Sequence, residues 1–276
     1  PQPVFRFAPS PNGELHLGHA YSALLNRDLC CAAGGRFLLR IEDIDRARCK
    51  PEFVQAIYED LGWFGFEWQE GPDRGGFSSP YTQTERLECY RRAFETLKES
   101  GFVYPCKCSR QEVMRALSAP HAGEEEPIYP GTCREFKDAT ENGRRVSWRF
   151  RVPDSEAISF LDGNYGEQTF LAGKDFGDFV VWRHDGVPSY QLACVTDDAA
   201  MQITEVVRGA DLLLSTARQI LLYRALNLPV PSVYHCPLMT DETGVRLAKR
   251  NDALSLRRFR ECGISPDKLR AEWAGH

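Results

Sequence analysis

The sequence predicts an α/β protein built on a parallel sheet and interrupted by an insertion. Three observations carry that expectation. Strand-like and helix-like patterns alternate from Val4 to Leu61. The same alternation returns from Phe179 to Leu226. Between them lies a cysteine-bearing stretch with little periodicity.

Each element has its own signal. Val4 to Ala8 is short, apolar and suited to a strand. Pro9 to Glu14 (P-S-P-N-G-E) is a turn by composition. From Leu15 to Ala33 the pattern is helical, with Leu17, Ala20, Leu24 and Leu25 on one side, and Gly34-Gly35 stops it. Arg36 to Glu42 reads as a buried strand, and Pro51 suits the first turn of a helix reaching Leu61. Thr82 to Ser100 is a further amphipathic helix. Gly101 opens the insertion, which carries the acidic run Glu124-Glu125-Glu126 and the strand-like Arg145 to Val152. The alternating texture then gives a strand at Phe179 to Arg183, a helix at Ser189 to Ala199, a strand at Ile203 to Arg208 and a helix at Ser215 to Leu226. The expected division is therefore 1–100 and 175–240 as two halves of one domain, 101–174 as the insertion, and 241–276 as a loop with a short C-terminal helical segment.

Composition narrows the class. The chain has 276 residues, 42% hydrophobic and 26% charged, enough for one large domain or two small ones. No apolar run approaches a membrane span and Pro1 to Ser10 lacks a secretory h-region, so no membrane partner and a cytoplasmic location are expected. The ten cysteines are then expected as reduced thiols, most of them small buried apolar residues. A net charge of −5 argues against non-specific coating of nucleic acid. The charge is uneven: Arg246, Lys249, Arg250, Arg257, Arg258, Arg260, Lys268 and Arg270 face only Asp252, Glu261 and Asp267 in the same segment. Such a run is either a solvated helical face or a local phosphate-binding surface.

The most informative stretch is Arg6-Phe7-Ala8-Pro9-Ser10-Pro11-Asn12-Gly13-Glu14-Leu15-His16-Leu17-Gly18-His19. A strand ends, a turn follows, and a helix opens with histidines three apart, hence on one face. A helix N-terminus favours phosphate, Gly18 permits close approach of a ligand, and imidazoles donate hydrogen bonds to a phosphoryl group. The same spacing could serve a metal, but no third ligand lies nearby in the sequence.

This stretch closely resembles the "HIGH" signature of class I aminoacyl-tRNA synthetases, and more narrowly their glutamyl group. The resemblance implies a Rossmann-like parallel sheet, with His16, Gly18 and His19 at ATP. Arg246-Leu247-Ala248-Lys249-Arg250 is similar to the family's second motif, K-M-S-K-S, with Arg and Ala replacing the first Lys and a Ser. Lys249 stands at the family's second lysine and would stabilise triphosphate charge as pyrophosphate leaves. Arg40-Ile41-Glu42-Asp43-Ile44-Asp45 resembles R-I-E-D-T-D, which puts Glu42 near the substrate amino group; Asp43 and Asp45 could equally cap the following helix. The resemblance adds Tyr190 and Arg208 to a glutamate pocket with Arg6, Ala8 and Ser10. Guanidinium groups would pair with the side-chain carboxylate and penalise glutamine. Asp197-Asp198 reads as a solvated turn without chemistry.

Cys106, Cys108 and Cys133 form a zinc-type pattern in the insertion, and three thiolates need a fourth ligand. His121 is the commoner ligand type, whereas related synthetase-like proteins favour Tyr129. A structural zinc is expected, and magnesium accompanies ATP.

The resemblance reaches from Val4 to about Leu256 and includes no anticodon-binding domain. It is closest in kind to the truncated paralogues, the glutamyl-queuosine tRNA(Asp) synthetases, and Cys194, Leu212 and the run Val206 to Leu213 agree with that group. It implies a monomer that activates glutamate with ATP and transfers it to queuosine in tRNA(Asp). Two alternatives stay open: a truncated conventional glutamyl-tRNA synthetase charging tRNA(Glu), and a non-catalytic zinc-stabilised RNA-binding protein.

Overall fold

The computed structural model describes residues 2–108, 128–141, 144–238 and 255–273. His121, Lys249 and the rest of the second signature lie outside them. The strands are β1 Val4–Phe7, β2 Arg36–Leu39, β3 Val103–Cys106, β4 Thr140–Glu141, β5 Arg144–Arg145, β6 Ser147–Phe150, β7 Ala157–Asp162, β8 Gly166–Leu171, β9 Phe179–Trp182, β10 Glu205–Gly209 and β11 Ser232–Cys236. The helices are α1 Leu17–Ala32, α2 Pro51–Trp63, α3 Leu87–Glu99, α4 Tyr190–Ala200, α5 Leu213–Ala225, α6 Leu256–Glu261 and α7 Pro266–Trp273. The chain divides into two compact units, one of Pro1–Arg86, Met201–Leu212 and Pro231–His276, the other of Leu87–Ala200 and Leu213–Val230.

The first unit holds the parallel sheet, in the order β2-β1-β10-β11. β1 pairs on both edges, and all four of its residues are buried. Side-chain alternation then sorts the sheet into two faces. Phe5, Phe7, Phe37, Leu39 and Val207 join a core with Ala20, Ile57, Leu61, Leu256 and Leu269. Val4, Leu38 and Val206 join a smaller core with Tyr81, Met201 and Ile203. α1 ends where the sequence places its stop: Gly34 takes φ +59 and Gly35 N–H returns to the Cys30 carbonyl at 2.8 Å.

Two expectations here need correction. β2 ends at Leu39; beyond it Ile41 pairs singly with Thr82. Asp43 and Asp45 do not cap α2, whose N-cap is Lys50. Asp43 instead accepts from the backbone N–H and the hydroxyl of Thr84, at 2.8 and 2.6 Å, and Asp45 accepts from Arg48 at 2.7 Å.

The second unit contains an antiparallel sheet β3-β6-β9 and the hairpin β7-β8, with α3, α4 and α5 sharing one core around Phe94, Phe150, Val181, Leu192 and Leu222. β9 is therefore not a parallel-sheet strand, as its position in the alternation suggested. Its short apolar run F-V-V-W carries no information on strand direction. Asp197 and Asp198 also depart from expectation: they are buried within α4, where the Tyr90 hydroxyl donates to Asp197 at 2.8 Å and the Cys194 thiol approaches Asp198 at 3.5 Å. Of the ten free cysteines only Cys30, Cys106, Cys133, Cys194 and Cys236 are buried, fewer than expected.

One buried carboxylate ties this unit together. Asp178, just before β9, accepts from Arg134 Nε at 2.7 Å and Nη2 at 2.8 Å, from the Tyr104 hydroxyl at 2.5 Å and from Val152 N–H at 2.9 Å. Burial alone would raise its pKa, but the bonds from Arg134 and Tyr104 outweigh it and hold the carboxyl below the usual range. Its contribution to stability is thus present above the ordinary carboxylate pKa of about 3.9 and is lost as pH falls towards the lowered folded value. Asp178→Asn turns one acceptor into a donor facing donors. We expect a loss of about 3 kcal/mol in urea unfolding at pH 7. A change below about 0.5 kcal/mol, the usual surface value, would contradict this account.

Candidate active site

The strand order sets the location. From β1 the chain moves outward to β2, and from β10 it moves the other way to β11. The order therefore reverses between β1 and β10. In open parallel sheets ligands bind at such a point, beyond the C-terminal strand ends.

Alternation supplies the side chains. On the face that begins with Val4, Leu38, Val206 and Val233, the next same-face positions are Arg6, Arg40, Arg208 and His235. All four are buried, Arg40 and His235 completely. Arg40 donates to Glu42 Oε1 through Nε at 3.3 Å and Nη2 at 2.9 Å, and approaches Met201 Sδ at 3.7 Å. Arg208 Nε donates to His235 Nε2 at 3.3 Å. Neither Arg40 nor His235 carried a site expectation. Arg40 stood beside the Glu42 motif, but nothing around His235 signals a site.

The turn after β1 is fastened to the chain beyond β2. Arg40 N–H donates to the Phe7 carbonyl, Glu42 N–H to Pro9 and Lys50 N–H to Pro11, at 3.0, 3.0 and 3.1 Å. Ala8, Ser10 and Glu42 are thereby held on adjoining segments, and Ser10 Oγ lies 3.6 Å from the Cys49 thiol. The geometry brings Arg6, Ala8, Ser10, Glu42 and Arg208 to one end of one sheet. Tyr190 belongs to the other unit, at the first position of α4, with a partly exposed ring.

His16 is the N-cap of α1 in extended conformation, and its N–H donates to His19 Nδ1 at 3.4 Å. The rings stack at 3.8 Å. Burial lowers the His16 pKa; His19, an exposed residue overall, is drawn below the usual imidazole range by lost hydration first and by His16 second. A lowered pKa favours the neutral imidazole, which offers an N–H donor without carrying charge. A Cβ at Gly18 would meet only the His16 ring, at 3.5 Å, so described neighbours do not demand glycine there. Ser255, the first described residue after the second signature, bridges to His16, and Leu256 N–H donates to the Leu15 carbonyl at 2.7 Å. In the basic segment Arg257 pairs with Glu14 and Arg260 with Glu59 and Asp60, so these two guanidinium groups are engaged within the chain.

The insertion gathers its cysteines. The sulfurs of Cys106, Cys108 and Cys133 lie within 4.8 Å of one another. The Tyr129 hydroxyl is 3.4 Å from Cys106 Sγ and 3.6 Å from Cys108 Sγ. A tetrahedral zinc with ligands at about 2.0–2.3 Å separates them by about 3.5–3.8 Å, so these four residues fit one. Arg149 donates to Cys106 Sγ at 3.2 Å and stacks its guanidinium 3.8 Å over the Tyr129 ring, a positive charge suited to an excess of thiolates. A Cβ at Gly177 would come within 2.9 Å of Ile128 Cγ2 and 3.1 Å of the Tyr129 backbone, so a larger residue there would force a local shift.

The family described as tRNA synthetases class I (E and Q), catalytic domain, matches residues 4–271. The chain is 53% identical to a glutamyl-Q tRNA(Asp) synthetase of Symbiobacterium thermophilum, over 96% of this chain and 83% of that protein. It is 46% identical to the protein of the same name from Nitratidesulfovibrio vulgaris, over 94% and 81%. A glutamate–tRNA ligase of Symbiobacterium thermophilum is 40% identical, over 96% of this chain and 56% of the ligase. The crystal structure of glutamate-tRNA synthetase from Elizabethkingia anophelis superposes with a TM-score of 0.80 at 30% identity, covering 95% of this chain and 54% of that one. The chain thus spans about half the length of that solved structure. The chain belongs to the glutamyl and glutaminyl branch of the class I aminoacyl-tRNA synthetases, a family of ligases, and corresponds to its catalytic domain.

Proposed function

We propose that this chain activates glutamate with ATP and transfers it to queuosine in the anticodon loop of tRNA(Asp). The observation that carries the reading is the meeting of Arg6, Glu42 and Arg208 with the histidine turn at the switch point of the parallel sheet. The queuosine acceptor is favoured by the similarity to two proteins named for it, each covered over four-fifths of its length, against little more than half for the glutamate–tRNA ligase.

In this reading Arg6 and Arg208 receive the side-chain carboxylate, Tyr190 is assigned to it by resemblance to the family alone, and Glu42 receives the ammonium group. Ala8 and Ser10 line the pocket floor. The glutamate α-carboxylate attacks the α-phosphorus of ATP, and the bond to pyrophosphate breaks. Neutral His16 and His19 donate hydrogen bonds to phosphoryl oxygens without acting as acids. Gly18 lets the nucleotide approach, Lys249 offsets the leaving charge, and magnesium enters with ATP. A hydroxyl of the queuosine cyclopentene ring then attacks the acyl carbonyl and AMP departs. Cys106, Cys108, Tyr129 and Cys133 would hold a structural zinc that braces the insertion.

Glutamate-dependent ATP–pyrophosphate exchange tests the first step. Exchange with glutamate, without tRNA and not with aspartate or glutamine, is expected. Exchange that appears only with tRNA(Glu) would point to a truncated conventional synthetase, and silence with every tRNA to a binding protein.

The metal reading is separable from catalysis. Metal analysis of the purified chain is expected to give one zinc per molecule, and Cys133→Ser to lose it and lower the Tm by several degrees. Full zinc content in Cys133→Ser would exclude this ligand set.

A further inference from the structure

We propose that Arg149 governs zinc retention in the cysteine cluster: its guanidinium offsets the excess negative charge of the thiolates and holds Cys106 and Tyr129 in ligand position. The proposal rests on the reading of Cys106, Cys108, Tyr129 and Cys133 as a zinc site.

Arg149 is carried by β6, the middle strand of the sheet β3-β6-β9. Its neighbours Trp148 and Phe150 pack into the core around Phe94, so Arg149 turns to the opposite face. On that face it stands across from Tyr104 in β3. Cys106 lies two residues further along β3 and therefore on the same side as Tyr104. Both belong to a separate buried cluster with Tyr129 and Cys133. The register of β3 with β6 thus delivers an arginine to the cysteines, from a position 43 residues beyond Cys106.

The Arg149 side chain is buried and is engaged in three ways. Nε donates to Cys106 Sγ at 3.2 Å, Nη1 donates to the Asp178 carbonyl at 2.9 Å, and the guanidinium carbon lies 3.8 Å from the centre of the Tyr129 ring. Asp178 is itself fastened by Arg134 and Tyr104. The guanidinium therefore ties one ligand sulfur and one ligand ring to the fixed part of this unit. From its other side the Tyr129 hydroxyl accepts the Cys133 backbone N–H at 2.9 Å.

The charge count gives the arrangement its purpose. Three thiolates around a dication leave one negative charge, and Cys106 and Cys133 are buried. A buried excess charge is costly unless it is paired and hydrogen-bonded. Arg149 supplies both the opposite charge and a donor to a ligand sulfur. Lysine would keep the charge but lose the planar fork and the stacking on Tyr129; methionine would lose both.

The test is zinc affinity of the full chain, measured by competition with a chelator, together with Tm before and after zinc is returned to the chelated protein. Arg149→Met should bind zinc about 10–100-fold more weakly than the parent, the scale of a lost outer-sphere partner, and Arg149→Lys should fall between the two. The Tm gap between parent and Arg149→Met should widen when zinc is added, because the metal stabilises the folded state by mass action. If Arg149→Met does not fold, Arg149→Lys serves alone: weakening by more than about threefold supports the proposal and an unchanged affinity overturns it. Affinity of Arg149→Met within about threefold of the parent, with a Tm gap that zinc does not alter, would overturn it in favour of a packing role. A parent chain that binds no zinc would remove the reading of the four ligands, and the proposal with it.

Discussion

The parallel pairing of β1 with β2 on one edge and β10 on the other is the constraint on which the rest of the first unit depends. β1 is four residues long and buried on both faces, so its register is not free to drift. A slip of one residue would exchange its faces, carrying Phe5 and Phe7 out of the main core and Arg6 into it. The same register lines Phe7 up with Leu39 and so aligns the following turn with the segment after β2. Three backbone hydrogen bonds across that gap then hold Pro9, Pro11 and their neighbours beside Glu42 and Lys50. The location of the histidine turn is thus a consequence of strand pairing, and its conformation a consequence of the helix it opens.

Placing four polar side chains on the buried face of a sheet is costly unless each is paired. Arg40 meets Glu42 and Arg208 meets His235. The Arg40–Glu42 pair is almost wholly removed from water, where loss of one partner leaves an uncompensated charge costing about 3–5 kcal/mol. These groups contribute little net stability over an apolar core. The second unit uses the same device: Asp178 and Arg134 fasten the chain next to Cys133 to the start of β9.

The legible parts of the sequence were those whose chemistry is local. The strand end, turn and helix start from Arg6 to His19 lie within one segment, and the structure has β1 end at Phe7 and α1 open at Leu17. The spacing of Cys106, Cys108 and Cys133 was informative for the same reason, and the structure brings those sulfurs together. What the sequence withheld were partners distant along the chain. Nothing near His235 announces Arg208, and nothing near Asp178 announces Arg134 and Tyr104. Asp197 and Asp198 look solvated because two adjacent carboxylates usually are; Tyr90, more than a hundred positions earlier, supplies one of them with a donor. The direction of β9 was equally hidden, since a four-residue apolar run fits a parallel or an antiparallel neighbour.

If a synthetase-type sheet end delivers activated glutamate to a base in the anticodon loop, a label on the glutamate ends on that base. The most direct test is to locate the product. tRNA(Asp) carrying queuosine would be incubated with labelled glutamate, ATP and the protein, digested with ribonuclease, and its fragments separated. The account predicts label on the anticodon-loop fragment and none on tRNA(Asp) lacking queuosine. Label on the 3′-terminal nucleotide, or equal labelling of both tRNAs, would contradict it.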